Sequence, residues 1–155
     1  MIRKILCATD LTAASEVAVQ TALELARELD ASVTLLHVVE PAYISRAMFA
    51  PFTTADQEFL TGIARREQEA AIRLMTDQVA TLNRPGRESV PVVTTVRRGI
   101  PSDVISLTAR EVGADLLVVG THGRTGISHA LLGSVAERLV RTAPCEVLVA
   151  RGKGS

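Results

Sequence analysis

Glycine recurs at 120, 123, 126 and 133 in the stretch GTHGRTGISHALLGS, which holds four of the chain's ten glycines and ends on Ser134. Such a stretch lets a ligand approach the main chain, because glycine has no β-carbon and accepts positive φ. Where it opens into a helix, the loop's N–H groups join the helix's own unpaired donors and the dipole, which together make a site for an anion. Gly120 closes an apolar run, ADLLVVG, and allows an unhindered turn; Gly123 and Gly126 permit positive φ; Gly133 clears space at the helix start, where Ser134 adds a hydroxyl. Three or four phosphate contacts at about 1.5–3 kcal/mol each do not reach micromolar binding against an association cost of about 4–15 kcal/mol. An apolar slot for a base is needed as well, and Val38, Val39 and Val119 stand at the ends of apolar runs where one would form. A nucleotide meets both demands.

Other chemistry competes for the same residues. Ser134 and Glu137 have the spacing of a capping box, in which the two side chains satisfy orphan helix N–H groups with no ligand present; capping accounts for these two but not for the glycines upstream. Asp10 ends the run ILCATD and is open to two roles, a cap on the following helix (a task Thr12 could also perform) or a ligand acceptor. His122 and His129 lie seven apart with no carboxylate or cysteine at ligand spacing, so a metal site through them is not expected. Arg124 could reach a phosphate or remain solvated, and His37, inside a strand, reads as a satisfied, partly buried histidine close to the cleft. The signatures G-x-x-x-x-G-K-[ST] and G-x-G-x-x-G do not occur. Phosphoryl transfer needs metal ligands, an oriented nucleophile and charge stabilisation, for which only Asp10, Ser134 and Arg124 are at hand. The expectation is therefore a binding protein with slow or no turnover, not an enzyme, and with no catalytic residue.

Elements must carry these residues to one place. Five apolar runs stand out, 2–8, 32–39, 90–96, 114–120 and 145–150, and several are too continuous to alternate, as suits strands covered on both faces. Between them lie helical patterns. Residues 13–29 put Val17, Ala18, Thr21, Ala22, Leu25, Ala26 and Leu29 on one stripe. A second helix is expected from about Asp56 to Asn83, stopping before Pro85-Gly86. The third follows Pro101, with Val104, Ile105, Leu107, Thr108 and Val112 inward, and the fourth runs from near Ser134 to before Pro144. Alternating strand and helix predicts an α/β sandwich of three layers with a parallel sheet, whose ligands bind beyond the carboxyl ends of the strands. Residues 41–55 have no clear period, two prolines and three of the aromatics; they read as a loop folded on the flank or as a lid or docking surface.

A chain of 155 residues, 47% hydrophobic, suits a single domain, 1–155. Seventeen basic residues balance seventeen acidic ones without long runs of one sign, which points away from nucleic acid and anionic membranes. No run approaches the ~18–20 apolar residues of a membrane span, and the N-terminus lacks the pattern of a secretory signal, so a cytoplasmic protein is expected. Cys7 and Cys145, far apart in apolar runs, read as plain buried thiols.

The spacing Gly120-x2-Gly123-x9-Gly133-Ser134 after a buried strand resembles the ATP-binding signature of the universal stress protein family. ILCATD, SVTLLHVV, RRGIPSDVI and PCEVLVA resemble that family's first strand, second strand, approach to the third helix and last strand. The likeness spans almost the whole chain except 41–55, where the family varies, and a short tail, 151–155. It implies a five-stranded parallel sheet of order 3-2-1-4-5 with four helices, a fold of the adenine-nucleotide alpha-hydrolase-like kind. It implies ATP with Mg²⁺ as the ligand, Mg²⁺ being held mainly by the phosphates. Ala8, Thr9, Asp10 and Val38 would surround adenine and ribose, and Val119 would close the base slot. Gly120, Gly123, Gly133, Ser134 and Val135, with Arg124 within reach, would hold the phosphates. Ala8 stands where some ATP-binding members carry proline. The family also implies a homodimer through the last strand, 145–150, which would cover an otherwise open sheet edge, and a regulatory role in stress response through a protein partner the sequence does not identify. The alternative is a dimeric scaffold of the same fold that works without nucleotide.

Overall fold

The computed structural model describes residues 1–41, 53–83, 89–121 and 132–152. The chain alternates strand and helix as β1 (Lys4–Thr9), α1 (Ala13–Leu29), β2 (Ser32–Val39), α2 (Thr54–Leu82), β3 (Val92–Arg98), α3 (Pro101–Val112), β4 (Leu116–Gly120), α4 (Ser134–Thr142) and β5 (Glu146–Ala150). All strands pair in parallel, in the order β3-β2-β1-β4-β5. The order reverses direction at β1, so β1 and β4 lie side by side, with Cys7 opposite Val118.

Successive side chains of a strand point to opposite faces, and both faces of this sheet are covered. Ile5, Cys7, Val33, Leu35 and Val118 pack under α1 and α2 with Ala22, Leu23 and Met75. Leu6, Leu36, Leu117 and Val119 pack under α3 and α4 with Ile105, Ala109, Ala136 and Leu139. Full burial of a side chain such as Leu6 or Leu117 contributes about 1.5–3 kcal/mol, and both are fully inaccessible.

Several expectations shift at the level of faces and ends. α1 spans the expected 13–29, but its inward residues are Ser15, Ala18, Val19, Ala22, Leu23 and Ala26, whereas Val17, Thr21 and Leu25 are half-buried and Leu29 is exposed. The alanines let the helix lie close on the sheet, which rotates the larger Val19 and Leu23 into the core. α2 starts at Thr54, inside the segment 41–55, because Thr53 and Asp56 form a reciprocal capping box. Only Ala71 and Met75 of α2 are buried, and Leu74 is exposed; in α3, Leu107 is exposed and Ser102, Ser106 and Ala109 are buried instead. Pro101 takes the first helical position. Cys7 is buried, but Cys145 is only half-buried, because it precedes the edge strand.

Two glycines are required by the backbone. Gly113 ends α3 in the left-handed region (φ 64), its N–H bonded to the carbonyls of Ala109 and Arg110. Gly99 (φ 139) turns β3 into α3, and a β-carbon there would stand 2.8 Å from Val104 Cγ2.

Candidate functional site

At the carboxyl ends of β1, β2 and β4 the protein encloses a cavity of about 260 Å³. It opens on the face covered by α3 and α4, at the point where the strand order reverses, the usual ligand position in such sheets.

The β1–α1 corner forms its middle. Leu11 adopts φ 65, a left-handed conformation costing about 1–2 kcal/mol for a residue with a β-carbon. A buried network holds it there: Leu11 N–H donates to Thr9 Oγ1 (3.1 Å), the Thr9 and Ser15 hydroxyls lie 2.8 Å apart, and Ser15 Oγ donates to the Thr12 carbonyl (2.9 Å). His37 Nδ1, 2.9 Å from the Thr9 carbonyl, must carry its proton there, since a carbonyl only accepts. His37 is thus satisfied as expected, though at 4% exposure it is fully rather than partly buried.

This corner presents Asp10. Its Oδ1 accepts from Thr12 N–H (3.0 Å) and the Thr12 hydroxyl (2.5 Å), while Oδ2 is buried and has no hydrogen-bond partner. Thr12 occupies the N-cap position of α1 but makes no side-chain cap bond, since its hydroxyl serves Asp10. Asp10 braces the turn leading into α1, and its second oxygen remains for a donor brought by a ligand. An unpaired buried acceptor costs about 1–3 kcal/mol, so a hydroxyl group from a sugar fits it.

The second wall is the start of α4. Gly133 is the N-cap, with φ −61 and ψ 151, and no side chain caps the helix. The capping box expected of Ser134 and Glu137 does not form: Ser134 is already the first helical residue, and Glu137 Oε1 accepts from Arg141 Nη2 (2.9 Å). Gly133 N–H bonds to the Thr121 carbonyl (2.7 Å), and Glu137 N–H to the Gly133 carbonyl. The N–H groups of Ser134, Val135 and Ala136 are the remaining first-turn donors, and all three residues line the cavity. Gly133 has backbone angles that any residue adopts, so the turn itself does not demand glycine.

An apolar slot forms the third wall. Leu36 and Val38 on β2 face Ile105 and Pro101 of α3, with Ala8 and Val119 on the floor. Val39, expected to share this role, belongs to the opposite face by strand alternation and does not line the cavity.

The cavity therefore brings together Ala8, Thr9 and Asp10, Val38, Val119 and Gly120, and Gly133, Ser134 and Val135. Gly123 and Arg124 lie outside the described residues, as do His122, Gly126 and His129. Sequence reasoning missed Ser15, Leu36, Glu40, Pro101, Ile105, Thr121 and Ala136 as wall residues. The alternation of Leu36, Val38 and Glu40 was the available signal for Glu40, because positions i, i+2 and i+4 of a strand share a face. Among the described residues no group of three or more His, Cys, Asp or Glu could hold a metal ion, and no helix is long and apolar enough to cross a membrane.

The Usp model, described as the universal stress protein family, matches residues 1–151. Universal stress protein MJ0531 of Methanocaldococcus jannaschii is 31% identical over 97% of this chain and 83% of its own length. Universal stress protein YxiE of Bacillus subtilis is 26% identical over 97% of this chain and 100% of its own length. Among solved structures, the universal stress protein UspA from Lactobacillus plantarum superposes with a TM-score of 0.79 at 26% identity, covering 97% of this chain and 98% of that one. Hypothetical protein MJ0577 superposes with a TM-score of 0.77 at 28% identity, covering 100% and 99%. A universal stress protein in complex with cAMP shares the fold, with a TM-score of 0.62 at 22% identity, covering 97% of each chain. With the fold, the glycine-rich strand end and the matched length in agreement, this chain belongs to the universal stress protein family.

Proposed function

We propose that the cavity binds ATP together with Mg²⁺, and that the protein acts as a nucleotide-dependent regulator in stress response, with slow or no hydrolysis. The observation that carries this reading is the convergence on one cavity of three complementary features. These are a buried carboxylate oxygen without a partner, a helix start without a side-chain cap, and an apolar slot between β2 and α3. They match a ribose, a polyphosphate and a base in chemistry and in order along the cavity.

Charge assigns a role to the cation. The described walls hold two carboxylates, Asp10 and Glu40, and neither lysine nor arginine. Main-chain N–H groups supply partial positive charge only, so Mg²⁺ on the phosphates would lower the repulsion between a triphosphate and these acids. Arg124 would add to that from the loop. Asp10 and the Ser134 hydroxyl would orient the nucleotide. Occupancy would change the surface offered to a protein partner.

Two measurements test the proposal. Denaturing the purified protein should release adenine nucleotide, and titrating the stripped protein should show Mg-ATP binding that weakens when the cation is chelated. Cyclic AMP belongs in the same titration as a competitor. If no nucleotide is released and neither ligand binds at millimolar concentration, the chain is instead the nucleotide-independent scaffold. Steady-state turnover faster than about 1 s⁻¹ would overturn the regulator in favour of an enzyme.

A further inference from the structure

Leu36 and Val38 alternate on the cavity side of β2, Glu40 follows directly after the strand's last residue, Val39, and all three line the cavity. The first two belong to the apolar slot that Ile105 and Pro101 close from α3. Glu40, two residues beyond Val38, is exposed where Val38 is half-buried, which puts it at the slot's mouth. Glu40 makes no ion pair or side-chain hydrogen bond with any other described residue. The phosphate-binding pole, at the starts of α4 and its loop, lies at the end of β4, two strands away across β1. At about 4.8 Å per strand that is roughly 10 Å, comparable with the length of a nucleoside.

We propose that Glu40 determines base specificity, its carboxylate accepting a hydrogen bond from the exocyclic amino group of a base held in the slot between β2 and α3. This rests on the nucleotide reading above. A planar base held between Val38 on one side and Pro101 on the other, over the buried Leu36 and Ile105, with its phosphates at α4, has its far edge toward Glu40. A carboxylate accepts but does not donate. An amino group at that edge is therefore matched, whereas a carbonyl oxygen there meets a second acceptor. Adenine carries an amino group at the position where hypoxanthine carries an oxo group, so the site should favour ATP over ITP.

Calorimetric titration of the stripped full-length chain with Mg-ATP and Mg-ITP tests this. Wild-type protein is expected to prefer ATP by about tenfold, the worth of one hydrogen bond to a charged group. Glu40→Ala should lower ATP affinity by about that factor without lowering ITP affinity, which rises to the extent that the facing acceptors repel in the wild type. Glu40→Gln, whose amide can turn either way, should bring the two within about twofold. Glu40 is exposed and outside the core, and an unchanged thermal midpoint will show that each variant is folded. Equal affinities in the wild type, or a Glu40→Ala that shifts both ligands equally in either direction, would overturn the role of Glu40 while leaving nucleotide binding intact. The equal upward shift would identify Glu40 as a mere source of repulsion toward the phosphates. Absence of binding by both nucleotides to the wild type would overturn the nucleotide reading and this inference together.

Discussion

Gly133 shows what a missing side chain can mean. Its φ of −61 and ψ of 151 suit valine as well as glycine, so Gly133→Val should fold, with a loss of about 0.5–1 kcal/mol from a poorer N-cap. The branched side chain would enter the cavity beside the free N–H groups of Ser134 and Val135. If two charged hydrogen bonds to phosphate are lost, ATP affinity falls by about 3 kcal/mol, roughly a hundredfold or more. Unchanged ATP affinity in this folded variant would remove the start of α4 from the site. The two cysteines give a second contrast. Burial pushes the Cys7 thiol up to about 12; Cys145 is also raised, by partial burial first and then by the nearby charges of Asp115 and Glu146. Since the thiolate is the reactive form, a thiol reagent at pH 8 should modify Cys145 slowly and Cys7 only in unfolded protein. Mass spectrometry of the labelled protein would read this directly, and rapid native labelling of Cys7 would contradict the packing of β1.

Elements were legible from the sequence to the extent that periodicity and breakers mark them. β2 and α1 lie where their apolar patterns place them, and Pro101 and Gly113 delimit α3 through their own backbone preferences. The inward faces were less legible. Val19 and Leu23 belong to the same amphipathic pattern as Val17 and Leu25, and the choice between them is made by how closely Ala18, Ala22 and Ala26 approach the sheet, which is a tertiary fact. Similarly, Asp10 and Gly120 were identifiable as strand ends, but that Thr12 takes up only Oδ1 of Asp10 and leaves Oδ2 unpaired is a matter of local geometry. One link between elements has a pH signature. Asp115, just before β4, accepts the N–H groups of Arg3 and Lys4 (2.8 and 3.0 Å), and these bonds hold its carboxyl below the usual carboxylate range. A carboxyl depressed in the folded state stabilises it above the unfolded-chain value, and that contribution disappears as pH falls through the folded one. Asp115→Asn should therefore reduce stability at pH 7 by more than at pH 2–3, flattening the acid limb of a plot of thermal midpoint against pH. Parallel curves for the two proteins would show that the clamp is not titrating.

In the whole molecule, the sheet has open edges at β3 and β5. β5 has half-buried Val147, Leu148 and Val149 and, among the described residues, no strand on its outer side, the sort of edge that natural proteins cover. A second copy pairing along β5 would cover it, and the expected result in sedimentation at micromolar concentration is a dimer, with and without ATP. A monomer in both conditions would leave the edge to another partner. Such a dimer would place Cys145 beside the interface and slow its modification further.

The bond between Gly133 N–H and the Thr121 carbonyl (2.7 Å) fastens both feet of the intervening segment to one spot at the end of β4. A detour pinned at its base is thermodynamically separable from the scaffold that carries it. Doubling its length would cost only about 0.6 kcal/mol in closure entropy. The number of residues between Thr121 and Gly133 can thus change, by insertion or deletion, without disturbing the sheet or the position of Asp10.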